Sequence, residues 1–257
     1  MFAFLRLRYH LSEQQVCKSE ITGDFIRDFY YKTIPAPIRS FINGKRREPV
    51  FQQAMPRFLD DPEACLQAGN STLTELVYGW GNEAWSAREE YLTRCIKSTL
   101  ATTGTILECG SGLSTLLIAA IAKQQGQAYW VLEHKPQWAR TVQSYLTHYH
   151  LNAVVVTAPL KDYGEFCWYD APLEKMPHRF ALVVCDGPPN RTTKGGRYGL
   201  VPVLKDRLTS GCVILLDDGY RKDECEIAAR WCNELNATYT IEGRDKPYLV
   251  MTVPPHY

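Results

Sequence analysis

Two apolar runs in this 257-residue chain end in carboxylates, and their placement carries chemistry. Ala181-Leu182-Val183-Val184-Cys185 leads into Asp186, and Val213-Ile214-Leu215-Leu216 leads into Asp217-Asp218. Such runs read as buried strands, and groups just past the C-terminal ends of parallel strands share one crevice. Three acids there offer oxygen ligands to Mg²⁺ or a similar hard cation, which would lower the pKa of a bound hydroxyl. Without a metal, Asp186 can act as general base for a hydroxyl, while Asp217 orients it, caps the next helix or pairs with Arg221. Ordinary loop stabilisation is a third reading, and all three stay open here. Beside Asp186 the basic link from Arg191 to Gly199 reads as a clamp for an acidic or phosphorylated substrate, or as a solvated loop. Its Lys194 joins Asp186 and Asp217 as a candidate catalytic group.

A second group lies upstream. Thr105-Ile106-Leu107 reads as the end of a buried strand, Glu108-Cys109-Gly110-Ser111-Gly112 as a glycine turn, and the stretch from Leu113 to Ala122 as a helix. Glycine lets backbone approach a ligand without an intervening Cβ, and amides at a helix start can receive an anion, here a carboxylate rather than a phosphate. Tyr129 to Leu132 forms the next strand and ends in Glu133, an acid placed to accept both ribose hydroxyls of a nucleoside. The glycines match neither the dinucleotide fingerprint G-x-G-x-x-G nor a P-loop. No histidine trio has zinc spacing, and Gly110-Ser111-Gly112 is not a nucleophile elbow.

Ile106-Leu107-Glu108-Cys109-Gly110-Ser111-Gly112-Leu113-Ser114-Thr115 followed by Val131-Leu132-Glu133-His134 resembles motif I and the downstream acid of class I S-adenosylmethionine-dependent methyltransferases. The resemblance spans roughly residues 80 to 257. It implies that Glu108, Gly110, Ser111, Gly112 and Ser114 surround the methionine part of the cofactor and Glu133 its ribose. It further implies that His134 and the loop carrying Pro159, Leu160 and Asp162 lie near the adenine. The acids after the later strands resemble those of catechol-type metal-dependent O-methyltransferases. By that likeness Asp186 and Asp217 would be metal ligands, with Asp218 where that family has an asparagine, and Asp186 would also border the cofactor. Asp186-Gly187-Pro188-Pro189-Asn190 occupies the place of the D-P-P-Y-type motif of amino-methylating enzymes, but Gly187 replaces a proline and Asn190 an aromatic. The expected activity is methyl transfer from S-adenosylmethionine to a small-molecule oxygen, with Mg²⁺ as a candidate second cofactor. The alternatives are N-methylation of a small molecule or protein, and a non-catalytic cofactor- or partner-binding protein.

These residues need a sheet to position them. From Thr105 onward strands and helices alternate, then two strands, Thr238 to Ile241 and Tyr248 to Val253, close the chain around Gly243-Arg244-Asp245. The expected fold is α/β: a doubly wound seven-stranded sheet of the class I methyltransferase type, with a mostly helical N-terminal extension over residues 1–79 and a catalytic domain over 80–257. In the extension, Phe2 to Leu7 reads as a strand or arm and Asp24 to Tyr31 as a helix. Asn43-Gly44 reads as a turn, and a helix runs from Asp61-Pro62 to Ala68. A cap over the main domain, or a homodimer contact, is its expected role. The aromatics from Tyr78 to Trp85 either line a substrate mouth or pack the extension on the core.

Hydrophobic residues make up 45% and charged residues 22% of the chain, as in soluble globular proteins. The net charge of +1 gives no global electrostatic case for nucleic acid, which is not expected as a partner. Ten Lys or Arg against five acids in residues 1–58 make the N-terminus locally basic. Nine cysteines without paired spacing, no leader-like segment and no apolar run of membrane length point to a reducing, cytoplasmic setting without membrane contact.

Overall fold

The computed structural model describes residues 36–81 and 87–255, with side chains from Gly44 onward. The expected arm at Phe2 to Leu7, the helix at Asp24 to Tyr31 and the segment from Asn82 to Ser86 lie outside the described residues.

Helix α1 spans Ala36–Asp60, α2 Thr72–Trp80 and α3 Glu89–Ala101. Asn43-Gly44 is not a turn: α1 runs through both residues. Glycine within a helix costs only about 1 kcal/mol against alanine, too little to break a helix of 25 residues. From Phe51 on, Phe51, Ala54, Met55 and Phe58 recur at helical spacing and are buried with Leu73, Leu76, Leu92 and Ile96. The helix expected from Asp61 to Ala68 is a short 3₁₀ turn over Glu63–Leu66. Asp61 Oδ1 accepts from the Glu63 and Ala64 amides, and Gly69, at φ 83°, redirects the chain.

The strands are β1 Ile106–Cys109, β2 Tyr129–Glu133, β3 Val154–Thr157, β6 Phe180–Cys185, β7 Leu208–Leu216, β8 Thr238–Glu242 and β9 Tyr248–Thr252. They form one seven-stranded sheet in the order β3-β2-β1-β6-β7-β9-β8, parallel except for β9, which runs antiparallel to β7 and β8. Helices α4 Leu113–Gln125, α5 Pro136–His148, α6 Leu200–Leu204 and α7 Lys222–Leu235 connect them. Helix α6 stops at Leu204, because residues from Leu208 are drawn into β7 beside Phe180. The loop expected after β3 contains an antiparallel pair, β4 Leu160–Asp162 and β5 Cys167–Tyr169.

Side chains of a strand alternate between its two faces, and both faces here are buried. Ile106, Val131, Leu182, Val184 and Leu215 pack with α1 to α5 from one side. Leu107, Leu132, Val183, Cys185, Leu216 and Leu249 pack with Trp168, Tyr169, Leu200 and Trp231 from the other. Double-sided burial explains why these strands read as continuous apolar runs. Cys109, Cys185 and Cys212 are buried and unpaired, as small apolar residues of these layers. Among the described residues no helix is long and apolar enough to cross a membrane.

Candidate active site

Chain order reverses at β1, which has β2 on one side and β6 on the other, and a crevice opens at such a switch point beyond the strand ends. A cleft of about 910 Å³ lies there. Its walls come from the turns after β1, β2, β6 and β7, from the β8–β9 turn, and from Trp80 and Arg88.

At one end the ladder continues past the strands: the Gly110 amide donates to Leu132 O at 2.9 Å and the Gly187 amide to Cys109 O at 2.8 Å. Gly110 has φ 91°, and a Cβ there would stand 3.1 Å from the Gly187 nitrogen, so the two turns touch through bare backbone. Ser111 Oγ donates to Glu133 Oε2 at 2.8 Å, and the Lys135 amide to Glu133 Oε1 at 2.8 Å. Burial pushes the Glu133 carboxyl up, but His134, the Lys135 amide and Ser111 outweigh it and hold Glu133 below the ordinary carboxylate range. Trp138 Nε1 donates to Ser111 O at 2.7 Å, fixing the turn from α5.

Glu108 lies beneath this turn, fully buried. It accepts from Ser114 Oγ at 2.5 Å, Thr115 Oγ1 at 2.6 Å and Tyr129 OH at 2.5 Å. Thr115 Oγ1 also accepts from the Gly112 amide at 2.9 Å, so Glu108 braces the glycine turn through the start of α4. Burial raises its pKa to about 7 against the pull of these hydrogen bonds.

At the other end Asp186, Asp217 and Asp218 come together, with one oxygen of each within 4.8 Å of the others. Asp186 is 28% exposed at the cleft, while Asp217 and Asp218 are buried. Arg197, 2% exposed, stands behind them: Nη2 reaches Asp186 Oδ1 at 3.0 Å and Asp218 Oδ2 at 2.8 Å, and Nη1 donates to Asp217 O at 2.7 Å. Nη1 also lies 3.3 Å from Glu224 Oε1. Lys246, from the β8–β9 turn, places Nζ 2.6 Å from Asp217 Oδ2 and 2.9 Å from Asp218 Oδ1, and Arg221 adds a contact to Asp218 Oδ2 at 2.7 Å. Burial, then the charge of Asp217, lifts the Asp186 carboxyl well above its ordinary range despite Arg197. Burial also pushes Asp218 up, but Arg197 and Lys246 prevail and keep it low.

This arrangement decides which cofactors the residues fit. The bare-backbone turns and the acid held by Ser111 suit a nucleoside-bearing cofactor at the first end. The acid cluster already holds cations of the chain itself: Arg197, Lys246 and Arg221 contact Asp186 Oδ1, Asp217 Oδ2 and both oxygens of Asp218, and so compete with Mg²⁺ for these carboxylates.

Gly110, Ser111, Gly112, Ser114, Glu133, His134, Asp186 and Asp218 all line the one cleft. Asp217 stands directly behind it and Glu108 below it. Leu160, Asp162 and Lys194 are not brought to its walls. Leu160 and Asp162 are held in the β4–β5 pair, where Asp162 Oδ1 caps the Gly164 amide, and the Lys194 ammonium donates to Gly164 O. Arg197 is a locked structural cation rather than part of a mobile clamp. The aromatic patch resolves in both senses at Trp80, which packs against Phe51, Trp138 and Tyr145 and also lines the cleft. Sequence reasoning missed Lys246 and the cleft residues Tyr169, Trp138 and Arg88. No local pattern marks them, although the turn bearing Lys246 was visible at Gly243-Arg244-Asp245.

Residues 107–219 match a family model described as a methyltransferase domain, a span from β1 to just beyond β7. No curated protein matches the chain by sequence. Among solved structures, an O-methyltransferase from Bacillus cereus in complex with SAH is similar over 74% of this chain and 94% of its own, at 16% identity and TM-score 0.51. An SAH-bound Podospora anserina methyltransferase, PaMTH1, covers 90% of this chain and 95% of its own at 15% identity and TM-score 0.49. A 16S rRNA N2 G1207 methyltransferase from T. thermophilus covers 67% of this chain and 45% of its own at 17% identity and TM-score 0.49. The expectation that sets nucleic acid aside as a partner is therefore corrected: RNA methyltransferases stand among the structural matches, and a chain's net charge does not report the acceptor of its cleft. The fold is that of class I S-adenosylmethionine-dependent methyltransferases, and residues 107–219 within it match the methyltransferase domain.

Proposed function

We propose that the chain transfers a methyl group from S-adenosylmethionine to a hydroxyl of a small molecule, with Asp186 as the base. The carrying observation is one cleft with Ser111 and Glu133 at one end and a part-exposed carboxyl, Asp186, at the other. In this reading Gly110, Ser111, Gly112 and Ser114 hold the amino-acid part of the cofactor, Glu133 its ribose and His134 the side of the base. Glu108 positions the glycine turn from below without touching a ligand. When bound, the cofactor supplies an electrophilic methyl on a sulfonium. Asp186 accepts the proton of the acceptor hydroxyl as that oxygen takes the methyl, the methyl–sulfur bond breaks and S-adenosylhomocysteine leaves; burial and the charge of Asp217 strengthen its hold on a proton. Asp217 and Arg197 fix the Asp186 turn. The rest of the rate comes from alignment within the cleft.

Calorimetry with S-adenosylhomocysteine tests the cofactor end. Glu133→Ala should weaken binding by about 10–100-fold through loss of charge-assisted hydrogen bonds. Methyl-labelled S-adenosylmethionine offered with pooled phenols and sugars, matched amines, and RNA tests the acceptor. Label on hydroxyl compounds, lowered about 100-fold or more in Asp186→Asn, is the expected outcome. Label confined to amines or RNA would overturn the hydroxyl assignment, and turnover lost on chelation would restore Mg²⁺.

A further inference from the structure

The acid cluster differs from a metal site in one respect that the sequence does not show: a cation belonging to the chain already sits in it. Lys246 Nζ bridges Asp217 Oδ2 at 2.6 Å and Asp218 Oδ1 at 2.9 Å, and Lys246 also lines the cleft beside Asp186 and Arg221. We propose that Lys246 is the resident cation of the acceptor site, taking the place of a divalent metal and presenting its ammonium to the acceptor oxygen. The proposal rests on the acceptor end assigned above.

Geometry and charge carry it together. An ammonium has three N–H donors and no acceptor. One is donated to Asp217 Oδ2, the ammonium is ion-paired with Asp218 Oδ1, and a donor remains for an oxygen entering the cleft. The side chain is 19% exposed, enough to meet a ligand yet held on the protein side by two buried acids. Its turn is anchored as well: Glu90 accepts from the Arg244 amide at 2.8 Å and the Asp245 amide at 3.1 Å, and Pro247 follows directly. Nothing about a solvated lysine calls for that anchoring. Asp217 is fully buried, and its Oδ1 has no hydrogen-bond partner among the described residues, so removal of Lys246 leaves a carboxylate with one oxygen open and the other deserted. Two such acids beside Asp186 form the oxygen set that a hard cation takes. Lys246 thus does the electrostatic work of a metal, stabilising negative charge that develops on the acceptor oxygen as Asp186 removes its proton.

The test is Mn²⁺ binding, read by electron paramagnetic resonance and calorimetry on the full chain. The wild type should show no saturable site. Lys246→Met and Lys246→Gln should each gain one saturable Mn²⁺ site. Asp217→Asn added to either should abolish that site. The glutamine variant keeps hydrogen-bond donors at the position and guards against a methionine variant that does not fold. A stoichiometric Mn²⁺ site in the wild type, lost in Asp217→Asn, would overturn the proposal, and so would folded Lys246 variants that bind no Mn²⁺. The comparison needs neither cofactor nor acceptor, so it stands apart from S-adenosylhomocysteine binding, which tests the methyltransferase reading itself.

Discussion

Arg197 shows how a residue's role is set by what it faces rather than by its neighbours in the chain. In sequence it belongs to a glycine-rich basic link that reads as a substrate clamp or as a solvated loop. In the fold its guanidinium is buried among Asp186, Asp218 and Glu224 and also holds the Asp217 carbonyl. Breaking a buried ion pair from one side leaves uncompensated charge, at a cost of about 3–5 kcal/mol. Arg197→Met should therefore destabilise the chain by that amount in urea unfolding; a loss under about 1 kcal/mol would mean that the acids do not depend on it. The acids of the site were legible because each follows an apolar strand, and strand ends converge by topology. Their cations were not, since Arg197 comes 11 residues after Asp186 and Lys246 comes 29 after Asp217. Only tertiary packing brings those partners together.

At the scale of elements, periodicity carried most of the reading from Ile106 onward, because double-sided burial makes each strand a continuous apolar run. It failed where packing overrides local preference. Asn43-Gly44 lies inside a helix, and the β4–β5 pair came from Leu160 to Tyr169, where three-residue strands leave no period to read. The contact between α1 and α2 was also invisible, and it turns on Gly79. A Cβ at Gly79 would stand 2.7 Å from the Phe51 nitrogen and 2.8 Å from its Cα, both backbone atoms that cannot rotate away. Alanine within a helix normally gains about 1 kcal/mol over glycine. Overpacking costs about 1–3 kcal/mol and should win here. Gly79→Ala is thus expected to lower stability in thermal unfolding, against helix propensity. A stabilised variant would show that the α1–α2 contact yields easily.

Across the whole molecule the sheet joins both ends of the cleft, and Glu108 sits at its centre, on β1 between β2 and β6. Its position makes the stability of the entire fold a reporter of one carboxyl. In the unfolded chain that group ionises near its ordinary value of 4.5; in the fold burial holds its proton until about pH 7. Between those values the folded state binds more protons than the unfolded state, so this contribution is complete below about pH 4.5 and fades as pH rises through 7. The gap corresponds to about 3 kcal/mol. Asp186 and Glu224, raised by burial, add the same slope, while Asp218 and Glu133, held low by their partners, oppose it. The wild-type profile alone is therefore a composite, and the difference from Glu108→Gln isolates the group. Glutamine stays neutral at every pH, and the hydroxyls of Ser114, Thr115 and Tyr129 can turn to accept from its amide. Urea unfolding of both proteins at pH 4.5 and pH 8 should show the wild type losing about 3 kcal/mol more than Glu108→Gln over that interval. Parallel profiles would mean that Glu108 is ionised in the fold and that its three hydroxyl donors outweigh its burial. The glycine turn would then rest on a charged brace rather than a neutral one.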